Sequence, residues 1–541
     1  MKLRKYLSLL LIACMMITML AACGSSDSGS SSSGSESSSE AESEAAAPAD
    51  NILRVALDFS AFETVDVMKT TYTEIFEISD CVCETLMGKD PETLESFPLL
   101  VEDFPEVSED GLVYTFKLKE GIKFHDGTDL TTEDVIYSFE RLFNPETLCP
   151  MTWLVDMIQG ANEYLNGEAD SITGLAAVDD YTFTMTLNMP YSPMIATLAS
   201  SPLAIISKDA CEAAGDDWGI GSYVGTGPYK FESFESGSKI VLKKNEDYHG
   251  GAKNVDEIDF LCMDGNTALL EFEAGNVDIC NLSTELAEDY KADEKFAKNV
   301  GYQDYFGVFT LVMNQYVEPF DKKEVREAFS LAIDREAIAN DYFGGSVSPA
   351  YTFLPPGISG HDADFKIERD VEKAKQLLAD AGYPDGVTVT EYIAAESDVL
   401  SIIKEQVAEA GITFDLQLAD SATVSDLRSN GKLACWILQW YADYNDADEF
   451  LYGIWHSNMR YYFSTGFEDA DFDAKLEQGR SLTDEAERTK LYQEMDKYVT
   501  QDQVCNAPLY YPGSYYMISD RVSNVMIKKD FLWWYADAVI G

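Results

Sequence analysis

A chain of 541 residues exceeds what one hydrophobic core usually serves, so at least two core-bearing lobes are expected. Its 95 acidic against 39 basic residues give a formal charge of −56. Such a surface repels polyanions, which argues against nucleic acid and anionic lipid headgroups as partners. The hydrophobic fraction of 46% and aromatic fraction of 12% are those of a folded globular protein, with most Tyr and Phe expected in cores.

In chain order, Lys2, Arg4 and Lys5 precede an apolar run at residues 6–20. About fifteen residues falls short of the roughly 20 that a spanning helix needs. With the small residues that follow, residues 1–22 read as an export signal. The sequence Leu20-Ala21-Ala22-Cys23 resembles the bacterial lipobox, whose cysteine becomes the acylated first residue of the mature protein. Residues 23–50 are dominated by Ser, Gly, Glu and Ala, too poor in apolar groups to offset ordering entropy, and are expected to be a disordered tether.

Folded sequence begins near residue 51, where Ile52-Leu53-Arg54-Val55-Ala56-Leu57 reads as a buried strand. Residues 114–118 and 181–187 alternate apolar and polar positions as half-buried strands do, the first following a turn at Gly111. Thr131-Thr132-Glu133-Asp134 opens a helix with a capping-type pattern. Another helix starts at Asp370 and is stopped by Gly382 and Pro384. Further helices are expected at 322–338 and 483–499. Strands and helices interleave without a strict repeat, so the class is mixed α/β.

Motifs for catalysis are not evident. The four histidines (His125, His249, His361, His456) are scattered, and no zinc-hydrolase, nucleophile-elbow or phosphate-loop spacing occurs. Asp469, Asp471 and Asp473 resemble the start of a calcium loop, but Ala474 stands where Gly is required, so they are read as a helix cap. Cys81 and Cys83 are read as buried or free thiols rather than metal ligands. No metal or cofactor is expected.

Several blocks resemble the extracytoplasmic solute-binding proteins that serve peptide and nickel importers of the ABC type. They are residues 110–118 running into Gly121-Ile122-Lys123-Phe124-His125-Asp126-Gly127, Gly225-Thr226-Gly227-Pro228-Tyr229, residues 325–335, residues 373–384, and Trp440-Tyr441-Ala442-Asp443-Tyr444 with Phe450-Leu451. The glycine-rich block at 225–229 suits a kinked connection between lobes. The resemblance implies a two-lobed periplasmic-binding-protein-like α/β fold with an extra subdomain and an interlobe ligand cleft. By analogy, lobe I takes 51–79, 201–303 and 511–541, the extra subdomain 80–200, and lobe II 304–510.

The same resemblance implies a non-enzymatic receptor that captures short peptides and passes them to the permease of an ABC importer. It would be a monomer held to the outer face of the membrane by a lipid on Cys23. In peptide-binding relatives the acid at Asp443 pairs with the peptide ammonium; Trp440, Tyr441 and Tyr444 would wall the first ligand residue, and Thr71, Tyr72 and Thr73 would run beside the ligand. Gln439 and Ala447 depart from the Gly and Pro usual at those positions. No cation for a ligand carboxylate can be assigned among Arg428, Lys432 and Arg460. A metal chelate or oligosaccharide ligand is the alternative within binding proteins, and an envelope glycosidase the alternative outside them.

Overall fold

Ile52–Leu57 is the middle strand of a seven-stranded sheet in the computed structural model, which describes residues 50–541. The export signal at 1–22, Cys23 and the tether up to residue 49 lie outside the described residues. From one edge the sheet runs Val300–Asp304, Gly513–Ile518, Ile279–Leu282, Ile52–Leu57, Glu257–Cys262, Lys239–Lys244, Tyr229–Glu235. The central strand is parallel to both neighbours, and the outer pairs are antiparallel.

A second sheet has four strands in the order Ser348–Pro349, Asn506–Tyr511, Gly307–Met313, Cys435–Tyr441. Its interior strands are buried on both faces. Leu311, Met313 and Leu509 face one core, and Val308, Val312 and Tyr511 face another. That is why Gly307–Met313 reads as a continuous apolar run rather than an alternation. A third sheet pairs Val113–Lys117 with Thr182–Thr186, and the alternation there brings Phe116 onto Phe183, stacked at 4.9 Å.

The two larger sheets belong to two lobes joined where the chain crosses twice. Val300–Asp304 leaves one sheet and Gly307–Met313 enters the other, with only Tyr305 and Phe306 between them. Asn506–Tyr511 and Gly513–Ile518 cross through Pro512 alone. The crossings are tied by Tyr305 N–H donating to the Pro512 carbonyl at 3.1 Å. Gly225–Tyr229 is not one of these connections. A Cβ on Gly225 would lie 2.2 Å from the Val82 carbonyl, so its glycines allow two backbones to touch at Cys81–Glu84.

Local signals account for most helix ends. Thr131 and Asp134 form the capping box of Thr132–Phe143. Asp370 caps Val371–Asp380, and Gly382 beyond it has φ +93°. Asp469 caps Ala470–Ser481 by accepting from the Asp471 and Phe472 amides. The helix expected over 322–338 breaks in two. Lys323–Ala332 ends at an extended Ile333, and Asp334 accepts the Ala337 amide at 3.0 Å to start the next turn. The break lets buried Arg335 reach the carbonyls of Pro508 and Ser330. All eight described cysteines are free, and burial pushes the Cys83 thiol up to about 12.

The hairpin Met87–Lys89/Ser96–Pro98 reaches from the extra segment to the second lobe. Leu94 at its tip is 2% exposed and joins Phe306, Val308 and Phe450 in that lobe's core. Its φ of +56° costs roughly 1–2 kcal/mol, while burying a leucine gains about 1.5–3, so the insertion holds.

Candidate functional site

The strand Cys435–Tyr441 is an edge strand, paired on one side only. Its hydrogen-bond parity follows from its two ends. The Ala442 amide donates to the Phe306 carbonyl at 2.8 Å, and the Asn314 amide to the Ala434 carbonyl at 2.9 Å. Even-numbered residues therefore bond inward to Gly307–Met313, and Cys435, Ile437, Gln439 and Tyr441 turn their N–H and C=O groups outward. The Cys435 amide is accepted by Glu391 Oε2 at 2.9 Å. The outward groups of Ile437, Gln439 and Tyr441 have no partner among the described residues. An open edge of this kind is a template for an extended chain.

Beyond the end of that strand, Asp443 sits on a loop held by a residue that sequence reasoning passed over. Glu449, 1% exposed in the first turn of Ala447–Trp455, accepts from the Asp443 amide (2.9 and 3.1 Å), the Tyr444 amide (3.1 Å) and the Trp440 indole (3.1 Å). Burial and the neighbouring Asp443 charge push its carboxyl well above the usual range. Its position, six residues after Asp443 in a helix's first turn, was the signal available.

The Asp443 carboxylate is half-buried and has no hydrogen bond or ion pair among the described residues. Burial pushes its pKa up to about 6, with Lys89 pulling it down and Asp530 pushing it up. Lys89 is already committed. It pairs with Asp530 at 2.5 Å and donates to the Asp443 carbonyl at 3.3 Å. Of the local charges, Asp443 alone is left to be neutralised.

The other expected residues are distributed around this point. Trp440 is half-buried with its ring edge-on to Phe463 at 5.8 Å. Tyr441 packs on Phe531 at 5.1 Å and on Tyr305 of the crossing at 6.1 Å. Tyr444 is 2% exposed, and its hydroxyl meets that of Tyr191 at 3.1 Å, so it faces the extra segment. Thr71 and Tyr72 are exposed at the start of Thr73–Val82, with the Tyr72 ring 4.8 Å from Phe62. Thr73 lines a 160 Å³ cavity together with Phe531, which links it to Tyr441. Buried Glu77 also lines that cavity; desolvation pushes its carboxyl up to about 8, and it accepts from the Tyr535 hydroxyl at 2.9 Å.

At the other end of the edge strand a cavity of 270 Å³ is lined by Glu391, Leu400, Arg428, Trp436 and Ile437. The Arg428 guanidinium lies 5.1 Å over the Trp436 ring, and its Nε is buried without a partner. The other described arginines each pair with an acid or donate to main-chain carbonyls. In so acidic a chain, a guanidinium left without an acid stands out as a place for an outside anion.

This edge, with an unpaired carboxylate at one end and an unpaired guanidinium at the other, coincides with a region matched by a family model. Residues 95–461 match the bacterial extracellular solute-binding proteins, family 5. The chain belongs to that family.

Among curated family 5 relatives, the chain is 28% identical over 462 residues to the periplasmic oligopeptide-binding protein OppA of Escherichia coli, covering 78% of this chain and 84% of that one. It is 29% identical over 477 residues to the E. coli glutathione-binding protein GsiB, covering 85% and 88%. The heme-binding protein A of Haemophilus influenzae is 28% identical over 455 residues, covering 79% and 81%. Among solved structures, DppA of Helicobacter pylori in complex with the peptide STSA superposes with a TM-score of 0.75 at 24% identity, over 90% of this chain and 98% of that one. H. influenzae OppA in complex with RPPGFSPFR gives 0.74 at 21%, over 91% and 99%. Family 5 proteins are extracytoplasmic receptors delivering ligands to ABC importers.

Proposed function

We propose that this chain captures short peptides between its lobes for an ABC importer, without catalysis. The observation that carries the reading is the open edge of Cys435–Tyr441 lying between Asp443 and Arg428. The peptide ammonium meets Asp443, its backbone pairs with the outward groups of Tyr441, Gln439 and Ile437, and its carboxylate enters the cavity of Arg428. Main-chain pairing holds a peptide with little dependence on side-chain identity. Trp440 and Tyr441 flank the first ligand residue, and Thr71, Tyr72 and Thr73 approach it from the opposite lobe. Tyr444 serves the fold beneath the loop rather than the ligand.

The relatives' names span oligopeptides, glutathione and heme. An unpaired carboxylate at one end of a strand edge and an unpaired guanidinium at the other favour a zwitterionic chain over heme, a metal chelate or an oligosaccharide.

In this reading the hinge lies at 304–307 and 511–513, lobe I takes 51–79, 201–303 and 511–541, and lobe II takes 304–510. The extra subdomain takes 80–200. A lipid on Cys23 anchors the monomer outside the membrane, and the 23–50 tether lets it reach the permease.

The test is mass spectrometry of small molecules released on denaturing the natively purified protein. Peptides of a few residues are expected. A sugar or a metal chelate in their place would overturn the reading.

A further inference from the structure

Glu391 sits where a longer ligand would have to continue. It lies on Val387–Ile393, a strand paired in parallel with Ile412–Leu418, and is 1% exposed. Its neighbour two residues back, Val389, is fully buried in the lobe core, so the strand is not free to swing away. Its carboxylate takes the outward N–H of Cys435, the next outward donor after Ile437. The same side chain lines the cavity of Arg428.

With the ammonium at Asp443, a ligand runs antiparallel to Cys435–Tyr441. Ligand residues one, three and five then fall opposite Tyr441, Gln439 and Ile437, since alternate pairs exchange hydrogen bonds. A seventh residue would fall opposite Cys435, whose donor is taken. Displacing Glu391 would strand a buried carboxyl and a buried amide at once.

Resting on the peptide reading above, we propose that Glu391 is a length stop: by closing the edge at Cys435 it limits the extended ligand to about five residues and turns its carboxylate toward Arg428. Burial also pushes the Glu391 carboxyl up to about 8, so at neutral pH it is largely uncharged and leaves the Arg428 charge available. Glu391 is a positioning residue and a ruler, not an ion-pair partner.

The test is calorimetric titration of the full-length protein with random-sequence peptide pools, free at both termini, of three, five and seven residues. For the unaltered protein, affinity is expected to peak at five and to fall at least about tenfold at seven. Glu391→Gln keeps an acceptor for the Cys435 amide and should keep that profile. Glu391→Ala opens the edge and should bring the seven-residue pool within about threefold of the five-residue pool. The stop is overturned if seven residues bind as tightly as five to the unaltered protein. It is equally overturned if folded Glu391→Ala, verified by its melting transition, keeps the original profile. Failure of every pool to bind would instead remove the peptide reading itself.

Discussion

At Asp443 an acid is held in a place where ionisation is costly and no protein cation satisfies it. Its pKa of about 6 in the free protein, raised by burial, means that ionisation costs the fold stability increasingly as pH rises from the ordinary carboxylate value to about 6, and by a constant amount above. A bound ammonium reverses the preference. Peptide affinity should therefore be full above about pH 6, fall as pH drops through that value, and fall again above about 8 as the ligand α-amine deprotonates. Titrations across that range should trace a bell; a flat acid limb would contradict the role of Asp443. Glu449 belongs to the same scale. Glu449→Ala strips three donors of their acceptor and is expected to cost about 2–4 kcal/mol in chemical unfolding. Asp443 was singled out only through the family resemblance of the aromatic-acid segment around it, whereas Glu449 looked like any acid in a helix's first turn.

In the proposed reading the edge strand carries the recognition through its backbone, which no side-chain pattern advertises. Period-2 alternation and caps made Val113–Lys117, Thr132–Phe143 and Val371–Asp380 readable. Which strand is left at an edge, and which way its amides turn, is set by pairing between residues more than a hundred positions apart. Arg428 was likewise only one of three nearby cations until the structure paired Arg460 with Glu468, left Lys432 exposed, and buried the Arg428 Nε without a partner in the cavity lining. Two results are expected. Methylating a single ligand amide that faces the edge should cost about 1 kcal/mol or more per lost hydrogen bond, more than changing the side chain there. Arg428→Met should weaken peptides with free carboxylates but leave their C-terminal amides unaffected, by calorimetry; equal losses for both would place the carboxylate elsewhere.

For the whole molecule, two crossings, at Tyr305-Phe306 and at Pro512, join the two larger sheets, and the proposed reading has the lobes close on a ligand about them. Leu94, Lys89 and Tyr191 already touch the second lobe, so in that reading the extra segment guides closure together with the hinge. Saturating peptide should reduce the radius of gyration in solution scattering and raise the unfolding free energy by about 2.7 kcal/mol at a hundredfold excess over Kd. The large negative charge argued against polyanionic partners but told nothing of where the uncompensated charges of Asp443 and Arg428 would stand. The most direct measurement is a titration cycle at neutral pH. A five-residue peptide and its N-acetyl form are each titrated into the unaltered protein and Asp443→Asn. Acetylation and Asp443→Asn should each cost about 2–5 kcal/mol, and together little more than either alone. If the acetylated peptide binds the unaltered protein as tightly as the free one, Asp443 does not receive the ammonium and the account fails at its centre.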